Sequence, residues 1–263
     1  MIVKIFSEFL NEHKLHKNQY QLLDYLEKLS SKSFIFIDTE TTGLGGHKKQ
    51  QLTQISAVAF DYDFQQNTLK ETDTFNKKIK ISSDMRGRLE DPKDRIKQIF
   101  KFNHYGDKIK EDPKYYEEQD IIDNFRNWLS QNVDPLLIMQ NAIFDMNMLV
   151  GRGGKKLGTP FEVLDTKQII QLFVIPIIQK LAETDDEYKQ MLDKIGTSDR
   201  DFSLISSSMS KWGPFFGINM SGYHDALTDC RITAQMFTKI VDLIKDNVDL
   251  NISKYQVERI KIK

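Results

Sequence analysis

The sequence predicts an α/β domain: one mixed β-sheet with helices on both faces. Two observations predict it. Between Ser33 and Ile81, three strand-like segments follow one another with short links, the pattern of an antiparallel meander. Beyond about residue 118, helical periods alternate with short apolar runs, the pattern of strands that join the same sheet in parallel. At 263 residues, with 40% hydrophobic and 29% charged side chains, the chain has the length and composition for a substantial soluble core.

The elements follow in order. Residues 1–30 read as an N-terminal helical extension: Ile5, Phe9 and Leu10 share one face, and Leu22, Leu23, Tyr25 and Leu26 repeat it. The first strand is "SFIFID". The second is "QLTQISAVAFDYD", with Ile55, Ala57 and Ala59 alternating against Gln54, Ser56 and Val58. The third lies in "TLKETDTFNKKIKI". The segments "PKDRIKQIFKF" and "YYEEQDIIDNFRNWLSQN" read as helices, the second with Ile121, Ile122, Phe125, Trp128 and Leu129 on one stripe. Pro135 opens a buried strand, "LLIMQN", and "FEVLDT" is another. "DTKQIIQLF", the stretch from Ile178 to Leu192, and "DFSLISSSMSKW" with Asp201 as its cap read as helices. "LFVIPII" reads as a short buried segment. The last long helix begins near Asp225 and carries Cys230, Ala234, Phe237, Val241 and Ile244 on one stripe. Residues 31–250 form the main domain, and 251–263 are a basic tail.

Bulk properties narrow the function. The net charge of −1 gives no overall attraction to a polyanion, so nucleic-acid affinity has to come from local patches or bound cations. A single cysteine, Cys230, excludes an intramolecular disulfide and argues against a cysteine-based zinc site. The N-terminus is too interrupted by charge for a signal peptide, and no apolar run is long enough to span a membrane. These features lead us to expect a soluble protein of a reducing compartment, the cytoplasm.

The chemistry concentrates in three segments. In "FIFIDTETTGLGG", a core-like strand runs into Asp38 and Glu40. Residues two apart on a strand project from the same face, so the two carboxylates would lie side by side if the strand continues. Their repulsion and burial are costly, and a hard divalent cation removes that cost. Read alone, "DTETTG" is equally a polar exit loop. "LLIMQNAIFDMNML" places Asn141 and Asp145 past a second buried strand, where Asp145 is also a simple first-turn acid. "GYHDALTDCRITAQMF" places His224 before the last helix, Asp225 as its N-cap and Asp229 in its second turn.

Taken in this order, "DTETTG", "NAIFD" and "HDALTD" resemble the three motifs of the DEDDh 3′–5′ exonucleases, the proofreading-type (DnaQ-like) nucleases. The resemblance extends from Phe34 to about Ile244 and implies an RNase H-like fold. It implies that Asp38, Glu40, Asp145 and Asp229 hold two divalent ions, Mg²⁺ or Mn²⁺, with Asp38 bridging them. One ion would activate the attacking water, and the other would stabilise the leaving 3′ oxygen. His224 would be the general base, since an imidazole titrates at about 6.5 and can accept a proton near neutrality. Backbone amides near Thr41 and Thr42 would contact the terminal nucleotide, Gly43 would allow its close approach, and Leu44 would pack on its base. Asn141 and Phe144 would line the other side of the strand's path. Lys48, Lys49, Arg152, Lys155 and Lys156 are candidates to guide the backbone.

The implied reaction is hydrolysis of single-stranded DNA from the 3′ end to nucleoside 5′-monophosphates, in replication or repair. The same chemistry on RNA is the nearest alternative. A polymerase-associated subunit whose main task is binding is a third reading. The chain exceeds a minimal domain of this family at residues 1–30, 77–118 and 179–200, which leaves substrate preference and partners open.

Overall fold

Asp38 and Glu40 lie inside a strand, not in a loop after one. Strand β2, Phe34–Thr41, continues through both because it stays in antiparallel register with β3, Leu52–Asp63: Asp38 opposes Ser56 and Glu40 opposes Gln54. A bulge follows between Glu40 and Thr41. The structure is a computed structural model and describes residues 4–5, 19–43, 50–83, 85, 116–152, 161–195 and 207–256. The predicted helix "PKDRIKQIFKF" falls outside these residues.

Six strands form one sheet, in the order β1-β6-β5-β2-β3-β4. Strand β4, Thr68–Lys78, completes the antiparallel meander. Strands β5, Leu136–Met139, and β6, Glu162–Asp165, run parallel to β2 and to each other. Strand β1, Lys4–Ile5, pairs in parallel with Glu162 and Val163. That pairing corrects the all-helical reading of residues 1–30. The outer edge of β6 carries unpaired backbone groups, and pairing them outweighs a helical period in the side chains. The helix of that region is α1, Gln19–Leu29.

Helices cover both faces. Helix α2, Glu118–Ser130, packs beneath the face of Ile35 and Ile37, with Ile121, Phe125 and Leu129 buried there. Helix α3, Ala142–Arg152, contributes Met148 and Leu149 to the same layer. The opposite face carries Phe34, Phe36 and Val58, covered by α1 and by α7, Ala226–Asp246. Phe237 of α7 meets the rings of Phe34, Phe36 and Tyr62 at centroid distances of 5.9, 5.8 and 5.4 Å, edge to face. Such contacts contribute about 0.5–1.5 kcal/mol each beyond burial and fix the height of α7 over β2. Gln19 ties α1 to the end of α7 by donating from Nε2 to the Asn247 and Leu250 carbonyls.

The apolar "LFVIPII" lies within a continuous helical rod, α4 (166–181), rather than between two helices. Its middle, Ile170–Val174, is a π turn, and Pro176 follows at the start of the next α segment. Pro176 has no N–H to give the Leu172 carbonyl, and Gln256 Nε2 donates to that carbonyl instead, at 2.9 Å. Helix α5, Asp186–Ile195, follows. The helix read from Asp201 is shorter in fact: Ser208 is extended and caps α6, Met209–Phe215, while 201–206 lie outside the described residues. A run of serines favours local turns over helix.

Candidate active site

The carboxyl ends of β2, β5 and β6 converge, the usual position for a ligand crevice in an α/β sheet. There a cavity of about 590 Å³ is lined by Asp38, Glu40, Asp145, His224 and Asp229, and also by Asn141, Phe144 and Lys167. The structure therefore brings together all five predicted catalytic residues and two of the predicted substrate residues.

The four carboxylates come from three backbone segments. Asp38 and Glu40 project from β2 on the face toward α7. Asp229 meets them from the first turn of α7, one turn earlier than the sequence period suggests. Its oxygens accept from the His224 backbone N–H at 3.2 and 3.3 Å. Asp145, in the first turn of α3, is held from the other side of β2: Thr39 donates to its Oδ1 from both N (3.0 Å) and Oγ1 (2.7 Å). Thr39 alternates in phase with neither acid, so it faces the helix that carries Asp145.

His224 takes a left-handed backbone conformation, φ 74°. The Asp229 carboxylate behind it and the Asp225 cap ahead of it hold that turn. Asp225 accepts from Thr228 N at 3.2 Å through one oxygen and from Gln54 Nε2 at 3.2 Å through the other. The Tyr223 ring lies against the imidazole, with centroids 4.0 Å apart. A His224 ring nitrogen and carboxylate oxygens of Glu40 and Asp229 lie within 4.8 Å of one another.

The remaining predicted residues divide. Asn141 is left-handed, φ 73°, its N–H donates to Asp165 Oδ1 at 3.0 Å, and its Oδ1 accepts from Lys167 Nζ at 3.0 Å. Thr41, Thr42 and Gly43 are buried beyond the bulge and do not line the cavity. The Thr42 amide already donates to the Gln51 carbonyl at 2.9 Å, and its hydroxyl donates to Gln50. What approaches Gly43 closely is the Gln50 amide, 3.0 Å from where a Cβ would sit. Leu44, Lys48, Lys49, Lys155 and Lys156 lie outside the described residues, as does the side chain of Arg152.

Four residues that shape the site were not singled out from sequence: Thr39, Gln54, Asp165 and Lys167. Buried Asp165 ends β6 and accepts from the N–H groups of Asn141, Ala142 and Lys167 at 3.0, 3.1 and 2.9 Å. It thereby satisfies the start of α3 and sets where Asp145 emerges. An aspartate that closes an apolar strand just before a helix is the available signal.

The electrostatics are those of a cluster of like charge. Burial, then the charges of Asp145, Glu40 and Asp229, push Asp38 well above the usual carboxylate range. Burial and Asp229 push Glu40 up to about 9. Burial raises Asp145 to about 7 against the opposing Thr39 hydrogen bonds, and raises Asp229 to about 7 against the His224 N–H. The donor set fits a hard divalent cation: converging carboxylate oxygens whose mutual repulsion a cation relieves.

These shifts fix a sign. Each folded-state pKa is above its unfolded value, so between about pH 4 and 9 the folded state binds more protons, and stability falls as pH rises. In EDTA the melting temperature should therefore drop from about pH 5 to about pH 9, and Mg²⁺ should restore more of it at the upper end of that range than at the lower. Thermal melts across the range check this, and a flat EDTA profile would contradict it.

The sequence pattern of the RNase T exonuclease family matches residues 35–237, a span that contains all five residues of the acidic wall. The chain belongs to this exonuclease family. It is accordingly a nuclease of the hydrolase class. No curated protein matches it. Among solved structures, it is similar to Pop2p from S. pombe in the form with Mg²⁺ and Mn²⁺ bound, with a TM-score of 0.52 and 13% identity over 85% of this chain and 88% of that one. It is also similar to cell-death related nuclease 4 (CRN-4), with a TM-score of 0.44 and 14% identity over 80% of this chain; the match spans 64% of that nuclease. At these identities the likeness is one of fold, and this exonuclease has the mixed RNase H-like architecture.

Proposed function

We propose that this exonuclease is metal-dependent and removes nucleotides from the 3′ end of single-stranded DNA, releasing nucleoside 5′-monophosphates. The observation that carries the reading is the convergence of Asp38, Glu40, Asp145 and Asp229, with His224, on one cavity at the ends of parallel strands. These four carboxylates would hold two divalent cations such as Mg²⁺ or Mn²⁺, which when bound acidify water and neutralise charge on the leaving oxygen.

The chain's own groups supply the rest. Asp38 feels the charges of all three other acids, so its carboxylate would be among those whose charge bound cations relieve. Thr39 fixes the rotamer of Asp145. His224 takes the proton of the attacking water and returns it to solvent, with Tyr223 limiting the tilt of its ring. Asn141 and Phe144 line the same cavity, where the terminal nucleotide would rest. A cavity of about 590 Å³ suits a nucleotide-sized group. The 3′–5′ polarity rests on the proofreading-type motif set, whose residues supply cation ligands and a base and do not read the sugar; RNA is the alternative substrate.

Polarity is tested with blocked oligonucleotides. A single strand capped at its 3′ hydroxyl should resist digestion, and one capped at its 5′ end should be degraded at the normal rate. Matched DNA and RNA strands in the same assay decide the sugar. Internal cleavage of a circular single strand would overturn the exonuclease polarity.

A further inference from the structure

The β6 side of the cavity, two strands from β2 in the sheet, holds a cation that the reaction chemistry leaves unassigned. Lys167 is the one lysine or arginine among the described residues lining it. Its side chain is half-buried, and Nζ donates to a neutral partner, the Asn141 amide oxygen, at 3.0 Å. The acid nearest to it in sequence, Asp165, feels the Lys167 charge but spends its hydrogen bonds on three backbone N–H groups. One of those is the Lys167 N–H itself, so the backbone that carries the lysine is pinned to the end of β6. The result is a half-buried ammonium on a backbone pinned by Asp165, lining the same cavity as the four carboxylates.

A strand entering this cavity brings phosphates in series. The phosphate being hydrolysed belongs at the acidic wall, where cations offset its charge. A neighbouring phosphate has no such partner there and is repelled by the carboxylates. Lys167 supplies the missing positive charge on the β6 side, and Asn141 anchors its ammonium at the cavity lining.

We infer that Lys167 is a substrate-binding residue that pairs with a strand phosphate other than the one hydrolysed, oriented by Asn141. The inference rests on the nuclease reading above and adds a specific contact to it.

The test is binding, read apart from catalysis. A fluorescein-labelled oligothymidylate is titrated by anisotropy into the chain carrying Asp38→Asn, alone and with Lys167→Met, Lys167→Arg or Lys70→Met added, from low to moderate salt. Lys70 lies on β4, away from the cavity. Loss of one phosphate contact should weaken binding about 5- to 10-fold at low salt and reduce the slope of log K against log salt by about 0.7, the share of one phosphate in a single strand. Lys167→Arg should retain the slope, and Lys70→Met should change neither quantity. In the chain with Asp38 intact, Lys167→Met should raise KM for the oligonucleotide far more than it lowers kcat. Equal affinity and slope for Lys167→Met, with the fold intact by circular dichroism, would overturn the assignment while leaving the nuclease reading in place. Failure of both the Asp38→Asn chain and the parent chain in Mg²⁺ to bind or digest the strand would overturn both.

Discussion

Replacing Asp38 by Asn should abolish hydrolysis and stabilise the metal-free protein at once. The carboxylate is the centre of the acidic cluster and is pushed upward by burial and the neighbouring charges. Cation-mediated charge stabilisation is worth several kcal/mol, and at about 1.4 kcal/mol per factor of ten its loss should slow turnover on the order of 10³-fold or more. Asn needs neither a buried charge nor a proton taken up from solution, so the melting temperature in EDTA at about pH 8 should rise, and the Mg²⁺-induced shift should shrink. Turnover and melting curves on the same preparation measure both effects. Retained activity, or a full Mg²⁺ shift in the variant, would contradict the assignment.

His224→Ala should reduce turnover by a factor on the order of 10²–10⁴, the usual share of general acid–base catalysis. Its backbone N–H, which supports Asp229, survives the substitution. The variant should therefore bind Mn²⁺ and single-stranded DNA nearly as the parent does. The parent's rate should rise with pH as the imidazole loses its proton, and that limb should be missing or displaced in the variant at saturating metal. The ring nitrogen is close enough to Glu40 and Asp229 for a ligand role to be a distinct outcome. A Mn²⁺ affinity reduced tenfold or more would identify His224 as a ligand, and unchanged single-turnover speed with the same pH profile would make it structural.

What the sequence made legible was local. The period of two placed Asp38 and Glu40 on one face, and the open question of whether the strand continues was answered by pairing with Ser56 and Gln54 on β3. The period of α7 and its Asp225 cap were read directly, because a helix records its buried stripe every three to four residues. Contacts distant in sequence were not legible. Thr39 looks like a spacer between two acids, and its bond to Asp145 spans 106 residues. Asp165 and Lys167 look like an ordinary strand end and a solvated lysine until β5 and β6 pair and bring Asn141 beside them. The Thr41–Gly43 turn was expected to face the nucleotide, yet after the bulge at Glu40 it packs on the Gln50 and Gln51 segment, which engages the Thr42 amide and hydroxyl. The edge strand Lys4–Ile5 depends on backbone pairing that carries no side-chain period.

Everything proposed for this site requires the acidic cluster to work through bound divalent cations on a strand end. Digestion of a 5′-labelled single-stranded oligonucleotide at about pH 8, with and without Mg²⁺, puts that requirement to the test. No products should form in EDTA. On adding Mg²⁺, a ladder should appear that shortens from the 3′ end with release of nucleoside 5′-monophosphates. Undiminished hydrolysis in excess EDTA would contradict the requirement.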